Sequence, residues 1–192
     1  LCYPGDAMYE DINHDGVINK YDIVYLGNSQ PLVTGGGGVT VKYKQVTLSA
    51  FFHGRFGQSI VNMARMNNES MYGSSNQSKA VLRRWKNEGD NTDIPRALYN
   101  EGRNYLGSDR FVEKASFVRL KSMTLSYGFP RKICNRFNVN SLSVFVTGYN
   151  LFTWTNYTGQ DPEVSTNSSN LAIDTATTPV AKRFSFGLNM SF

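Results

Sequence analysis

The chain has 192 residues and a formal net charge of +5, from 20 Lys and Arg against 15 Asp and Glu, a length for one or two ordinary domains. Apolar residues make up 40% and charged residues 18%, which excludes a disordered tail, and no run of 18 apolar residues is present to form a transmembrane helix. The basic residues are scattered, as at Lys42, Lys44, Arg83-Arg84 and Arg131-Lys132, which excludes the massed footprint of a nucleic-acid binder.

Residues 1–28 are polar and acidic and carry the run Asp11-Ile12-Asn13-His14-Asp15-Gly16-Val17-Ile18-Asn19-Lys20-Tyr21-Asp22. Oxygen-bearing side chains at positions 1, 3, 5 and 12, with glycine at 6 for a sharp turn, fit the calcium-loop template. The expected ligands are Asp11, Asn13, Asp15, Asp22 and the carbonyl of Val17, with Asn19 acting through water. Asp22 is one methylene shorter than the Glu common at position 12, which weakens bidentate closure. The expected role of Ca2+ is structural, stiffening a loop, and Lys20–Leu26 is a candidate helix after it. The competing reading is an acidic turn without an ion.

A first strand is predicted over about residues 33–43, where Val39, Val41 and Tyr43 alternate with Thr40 and Lys42. Gly35 to Gly38 lie inside it; glycine weakens a strand and marks a bend or a close backbone approach, so either the wall kinks here or the run is simply tolerated. Lys44-Gln45 makes a tight turn into a second strand, about 46–54, with Val46, Leu48, Ala50 and Phe52 on one face. Residues 57–109 keep no period and read as a long loop, with a short helix over Lys79–Asn87 around Trp85. The third strand covers about 116–129. Met123, Leu125 and Tyr127 share one parity and Val118 and Leu120 the other, which predicts a bulge near Lys121. Pro130 ends it, and Arg131–Asn140 forms a turn with one helical coil. The fourth strand covers about 141–153, and a polar loop, 155–180, follows.

The last strand, about 183–192, is the most informative. Phe184, Phe186, Leu188, Met190 and Phe192 occupy every even position, and every odd position is small or polar. Successive strand side chains point to opposite faces, so this strand has one oily side and one wet side. Its length suits a tilted strand crossing a bilayer. The connections alternate short and long, as in outer-membrane barrels with short periplasmic turns and long outer loops. The expected fold is therefore all-β: an antiparallel transmembrane β-barrel segment with long extracellular loops, its carboxyl end in the periplasm, located in the outer membrane. Five strands cannot close a barrel, and an open sheet in lipid leaves unpaired backbone at two edges, so these are expected to be the last five strands of a larger barrel. Leu1 opens no export signal, which adds the expectation of an upstream portion.

Other candidates are weaker. Trp85, Tyr99, Tyr105, Trp154 and Tyr157 lie in or beside the loops, placed to stack on sugar rings or, as is more common, to pack a loop or sit at a membrane interface. Lys42, Arg119, Lys121 and Arg183 fall on polar strand faces and are expected to line a lumen. Cys2 and Cys134 fit no metal or redox spacing. His14 and His53 have no partner acids, and no Ser sits in a nucleophile elbow. Asp161 and Glu163 are the nearest pair for glycan hydrolysis, but their i, i+2 spacing around Pro162 reads as a loop feature. No enzyme is expected.

The chain resembles the carboxyl-terminal portion of the SusC/RagA family of TonB-linked outer-membrane transporters of Bacteroidetes. The resemblance rests on Pro4-Gly5-Asp6 leading into the acidic run, Gly27-Asn28-x-x-Pro31, Leu48-Ser49-Ala50-Phe51-Phe52-x-Gly54, Ser108-Asp109-Arg110-Phe111-Val112-Glu113, Ser116-Phe117-Val118-Arg119-Leu120-Lys121, Thr124-Leu125-Ser126-Tyr127, Val146-Thr147-Gly148-x-Asn150-Leu151, Asp161-Pro162-Glu163 and the Phe192 ending. It implies a parent barrel of about 22 strands with a plugged lumen, a SusD-like surface lipoprotein as lid, energy from TonB through a plug that precedes these strands in the family, and oligosaccharide or oligopeptide as imported cargo. Gly35–Gly38 departs from the family pattern, which carries Tyr or Phe there. The alternative is a soluble calcium-dependent carbohydrate-binding β-domain on the cell surface, which would have to cover the oily side of the last strand with a second sheet.

Overall fold

The computed structural model describes residues 2–164 and 172–192; part of the predicted loop 155–180 lies outside them. In chain order its strands are β1 (Val33–Tyr43), β2 (Val46–Phe56), β3 (Ser59–Asn62), β4 (Val112–Lys114), β5 (Phe117–Gly128), β6 (Ser141–Thr155), β7 (Ile173–Asp174) and β8 (Arg183–Ser191), with short helices α1 (Met63–Asn68) and α2 (Arg131–Arg136). Among the described residues no helix is long and apolar enough to cross a membrane. The chain divides into two compact units. The sheet unit holds 30–58, 114–163 and 178–192, and the loop unit holds 1–29, 59–113 and 164–177.

The sheet unit is built on five strands in the order β1-β2-β5-β6-β8, every neighbouring pair antiparallel. Alternation sets this register, because a one-residue slip would turn every apolar side chain to the wrong face. The predicted bulge is present: Phe51 pairs with Ser122 and Phe52 with Leu120, so Lys121 is the extra residue. Of the readings open for Gly35–Gly38, the structure shows the close approach and no break in the ladder. β1 pairs with β2 in unbroken register from Val33↔Phe56 to Tyr43↔Val46. A Cβ on Gly35 or Gly37 would meet nothing within 4 Å, whereas Gly36 makes room: a Cβ there would stand 2.9 Å from the Phe51 ring and 3.0 Å from the Phe52 carbonyl oxygen. Gly187 does the same under the Phe145 ring, its cross-strand partner. An aromatic ring laid over a glycine shields bare backbone and fills the gap.

The loop unit is more ordered than its sequence predicts. β4, β3 and β7 form a small sheet, with β3 parallel to β7 through Val61↔Ile173 and Asn62↔Asp174. Asn62 ends β3 and caps α1 by accepting from the Arg65 N–H. The helix predicted over Lys79–Asn87 shrinks to a 3-10 turn at Lys79–Arg83, started by the Ser78 side chain and ended where Arg84 turns extended. Trp85 lies beyond it, its N–H bonded to the Ile94 carbonyl. The helix predicted over Lys20–Leu26 likewise contracts to Lys20–Asp22. Met71, Val81 and Ile94 form a small buried core.

Candidate functional site

The sheet has two chemically opposite faces. One carries Val39, Val41 and Tyr43 of β1, matched in register with Ala50, Leu48 and Val46 of β2, then Met123, Leu125 and Tyr127 of β5, Val144 and Val146 of β6, and Phe186 and Leu188 of β8. These side chains are largely uncovered: Phe186 is 81% exposed, Phe184 62% and Leu188 56%. In water so broad an apolar face would be unfavourable by about 25 cal/mol for each Å² left wet, and exposed patches of this kind mark contact surfaces. The bulge at Lys121 keeps the face continuous, because it returns Leu120 to the side of Phe52 and Phe152.

Aromatic residues close the face at both ends. At one end Trp154 lies 6.4 Å from Phe52 and 6.2 Å from Phe152 between ring centroids, with the Lys182 ammonium 5.5 Å over Phe152. At the other, Tyr127 meets Phe129 edge-on at 5.2 Å, and Lys44 lies over Tyr43. Along β5 the span between them is about 20 Å, from a rise of about 3.3 Å per residue and a tilt of about 40°. An apolar band of that height between aromatic girdles is the outer surface a transmembrane sheet presents to lipid.

The opposite face is polar and internally bonded. Thr40 and Ser49 hydroxyls stand 3.0 Å apart, and Thr124 and Thr147 2.8 Å apart. Its centre is Arg119, only 3% exposed. The guanidinium donates to Asp161 and, at 2.7 Å, to Glu163, and its Nε donates to the Thr153 hydroxyl at 2.9 Å. Lys121 adds a second cation on Glu163 at 2.8 Å. Asp161 also accepts from the backbone N–H groups of Glu163 and Val180. Burial pushes the Asp161 carboxyl up, but those N–H groups and Arg119 outweigh it and hold it below its ordinary range. Gln58, buried, donates to the Ala115 and Pro162 carbonyls. The group fastens the segment after β6 onto the sheet.

The residues singled out from sequence divide accordingly. Arg119 and Lys121 are tied to Asp161 and Glu163 rather than free, and Arg183 lies over the Tyr149 ring at 5.0 Å, while Lys42 is exposed. Trp154 belongs to the aromatic end of the apolar face, and Tyr157 is buried. Trp85 packs on Gly5. Tyr99 is exposed, and Tyr105 stacks on Tyr72 at 6.2 Å. Cys2 and Cys134 are both free thiols. Sequence reading missed the Arg119 group; the one signal was that no Asp or Glu occurs between Lys114 and Gln160, which makes Asp161 and Glu163 the first acids after Arg119 and Lys121.

In the acidic loop, Asp11 accepts from the Asp15 and Gly16 N–H groups, Asp15 from Val17, and Asp22 from Ile12 and Asn19. Backbone N–H bonds from Asn19 and Ile12 carry the Asp22 carboxyl below its ordinary pKa. Gly16 takes φ +82°, a left-handed turn that suits glycine. The donors are hard oxygens suited to Ca2+, yet among the described residues no three Asp, Glu, His or Cys side chains converge as an ion site. The same unit buries another carboxylate missed from sequence: Asp6 is held by Arg96, Asn104 and the Tyr3 N–H. The Arg96 hydrogen bond leads in bringing its pKa down to about 2.

No protein-family model matches the chain. Across 98% of its length it is 29% identical to TonB-dependent receptor P3 and 30% identical to TonB-dependent receptor P26, both of Formosa agariphila. The chain spans about a fifth of the length of these relatives, 19% and 20% respectively. Among solved structures, the RagAB peptide transporter aligns with a TM-score of 0.74 and 28% identity, over 85% of this chain and 17% of that one. The RagAB peptide importer in its closed-closed state aligns with a TM-score of 0.70 and 26% identity, over 85% of this chain and 18% of that one. The two-faced sheet and these likenesses together identify the chain as SusC/RagA-like, a β-rich outer-membrane relative of the TonB-dependent receptors.

Proposed function

We propose that this chain forms wall strands and outer loops of a larger barrel, part of a TonB-dependent importer of oligopeptides or oligosaccharides capped by a SusD-like lipoprotein. The observation that carries the reading is the uncovered apolar face between two aromatic girdles, backed by a polar face that bonds to itself and to its own loop. A soluble carbohydrate-binding domain would cover Phe184, Phe186, Leu188 and Met190; these are all exposed. The unpaired edges of β1 and β8 then join further strands, since lipid offers no hydrogen-bond partner. The chain works by support and not by chemistry: the Arg119 group anchors the segment after β6, and the loop unit presents Tyr72, Tyr99 and Tyr105 for contact with cargo or lid. Oligopeptide is the favoured cargo, because the solved neighbours are described as peptide transporters and importers.

Uptake separates the alternatives. Labelled oligopeptide and oligosaccharide are offered to cells that carry the protein, with and without a proton-motive force, and the detergent-extracted protein is analysed for a bound lipoprotein. Force-dependent peptide uptake together with a co-purifying lipoprotein supports the reading. Recovery of the protein in the water-soluble fraction without detergent would falsify it.

Within that reading, we propose that Asp11, Asn13, Asp15, the Val17 carbonyl and Asp22, which do not converge as they stand, close on a structural Ca2+ that stiffens the loop. Bound calcium would supply charge neutralisation among three carboxylates. Calorimetric titration of the intact protein is the check: binding abolished by Asp11→Asn/Asp15→Asn agrees with this, and no heat at millimolar calcium rejects it.

A further inference from the structure

Charge is divided sharply between the two units. The sheet unit has eleven Lys and Arg against Asp161 and Glu163 alone, whereas the loop unit has nine against thirteen acids. No Asp or Glu occurs between Ile23 and Asn68, between Lys114 and Gln160, or after Asp174. The two acids of the sheet unit are spent on Arg119 and Lys121. The cations elsewhere in that unit have no Asp or Glu of their own unit to answer them.

Four of them gather at the short-turn end. Lys44 sits in the β1–β2 hairpin, and Arg131, Lys132 and Arg136 are exposed on α2. The Gly128 N–H donates to the Gln45 carbonyl at 2.8 Å, joining the hairpin to the chain just before α2. Among the described residues none of the four makes an ion pair. The helix is held in place: Cys134 is buried, its thiol 3.6 Å from the Phe129 carbonyl, and the Val139 N–H returns to the Cys134 carbonyl. That fixes α2 with its cations outward and with Ile133 and Phe137 exposed beside them. Tyr43, Tyr127 and Phe129, the girdle of the apolar face, lie at the same end.

We propose that this end binds the phosphate groups of anionic phospholipid in the leaflet it meets. A water-borne anion would need the cations only. Here they border an apolar band and share their helix with exposed apolar side chains, an arrangement that accepts the headgroup and the first part of the acyl chain together. Short barrel turns face the periplasm, so the leaflet is the inner one. The inference rests on the membrane-wall reading given above.

The test uses the protein extracted from the outer membrane and placed in nanodiscs of phosphatidylethanolamine, with or without phosphatidylglycerol or cardiolipin, with bound lipid counted by native mass spectrometry. Each cation near an anionic surface strengthens attachment roughly fivefold. The variant Lys44→Gln/Arg131→Gln/Lys132→Gln/Arg136→Gln is expected to lose the preference for anionic lipid by roughly tenfold or more. A matched variant, Lys20→Gln/Lys79→Gln/Arg83→Gln/Lys86→Gln, removes equal charge from the loop unit and is expected to keep it. Absence of any headgroup preference in the unaltered protein overturns the proposal, as does an equal loss in both variants. Full displacement of lipid by millimolar inorganic phosphate reassigns the site to a soluble anion. Loss of a periplasmic protein with lipid unchanged reassigns it to a protein partner. A protein recovered in buffer without detergent or lipid removes the membrane reading as well, so the two failures are distinguishable.

Discussion

The sheet unit and the loop unit solve the problem of burial in opposite ways. The loop unit turns Met71, Val81 and Ile94 inward and balances its charges in close groups, such as Arg65 and Arg110 with Glu69 and Glu113. That is the logic of a body bathed in water. The sheet unit turns a broad apolar band outward, with Phe186, Phe184 and Leu188 exposed, and bonds its polar atoms to one another on the other face. One chain thus carries surfaces made for two solvents. The difference teaches that exposed Phe and Leu are a defect only if water is the neighbour.

The strongest attempt to break this contrast targets Arg119. Replacing it with Ala strands two partly buried carboxylates, and breaking a buried pair in this way costs about 3–5 kcal/mol. Urea unfolding from lipid vesicles should show that loss, while Arg119→Lys should restore part of it. Next in size is the face itself. Leu188→Arg places a charge in the apolar band and is expected to cost about 2–4 kcal/mol in the same assay. Asn189→Arg, one residue on and on the polar face, should cost far less. Similar costs for the two would erase the distinction between faces.

A smaller effect is expected at Gly187. A side chain there displaces the Phe145 ring, and Gly187→Val should destabilise by about 1–3 kcal/mol, the usual range for overpacking. The smallest effect belongs to the loop unit in acid. Asp6 has a folded-state pKa of about 2 against an ordinary 3.8, so its contribution is complete above the ordinary value and is lost as pH falls through the lower one. Trp85 packs on Gly5, next to Asp6, and its fluorescence, read in a Trp154→Phe background, should change over that interval. Asp6→Asn should flatten the response.

Much of the sheet was legible in the residues because period-2 alternation is local. It also gave the bulge at Lys121, from the parity change between Leu120 and Met123. The glycine run left a bend and a close approach equally open for a physical reason. What Gly36 accommodates is the ring of Phe51 on the neighbouring strand, and no local pattern shows a partner across a ladder. The Arg119 group stayed hidden likewise, since Asp161 and Glu163 are more than 40 positions away. In the loop unit β3 and β7 are too short to show a period. Asn62 reads as an ordinary loop residue until its cap on α1 is seen, and Asp6 shows nothing until Arg96 and Asn104 close over it.

Spin labels placed singly from Phe184 to Met190, in a cysteine-free background reconstituted in lipid, test the outward face most directly. Labels at 184, 186, 188 and 190 should collide with oxygen dissolved in the hydrocarbon and be shielded from a water-soluble nickel complex, with labels at 185, 187 and 189 lacking that oxygen preference. Even-numbered labels that meet the nickel complex freely, or that neither agent reaches, would mean that water or protein covers this surface, and the account would be wrong.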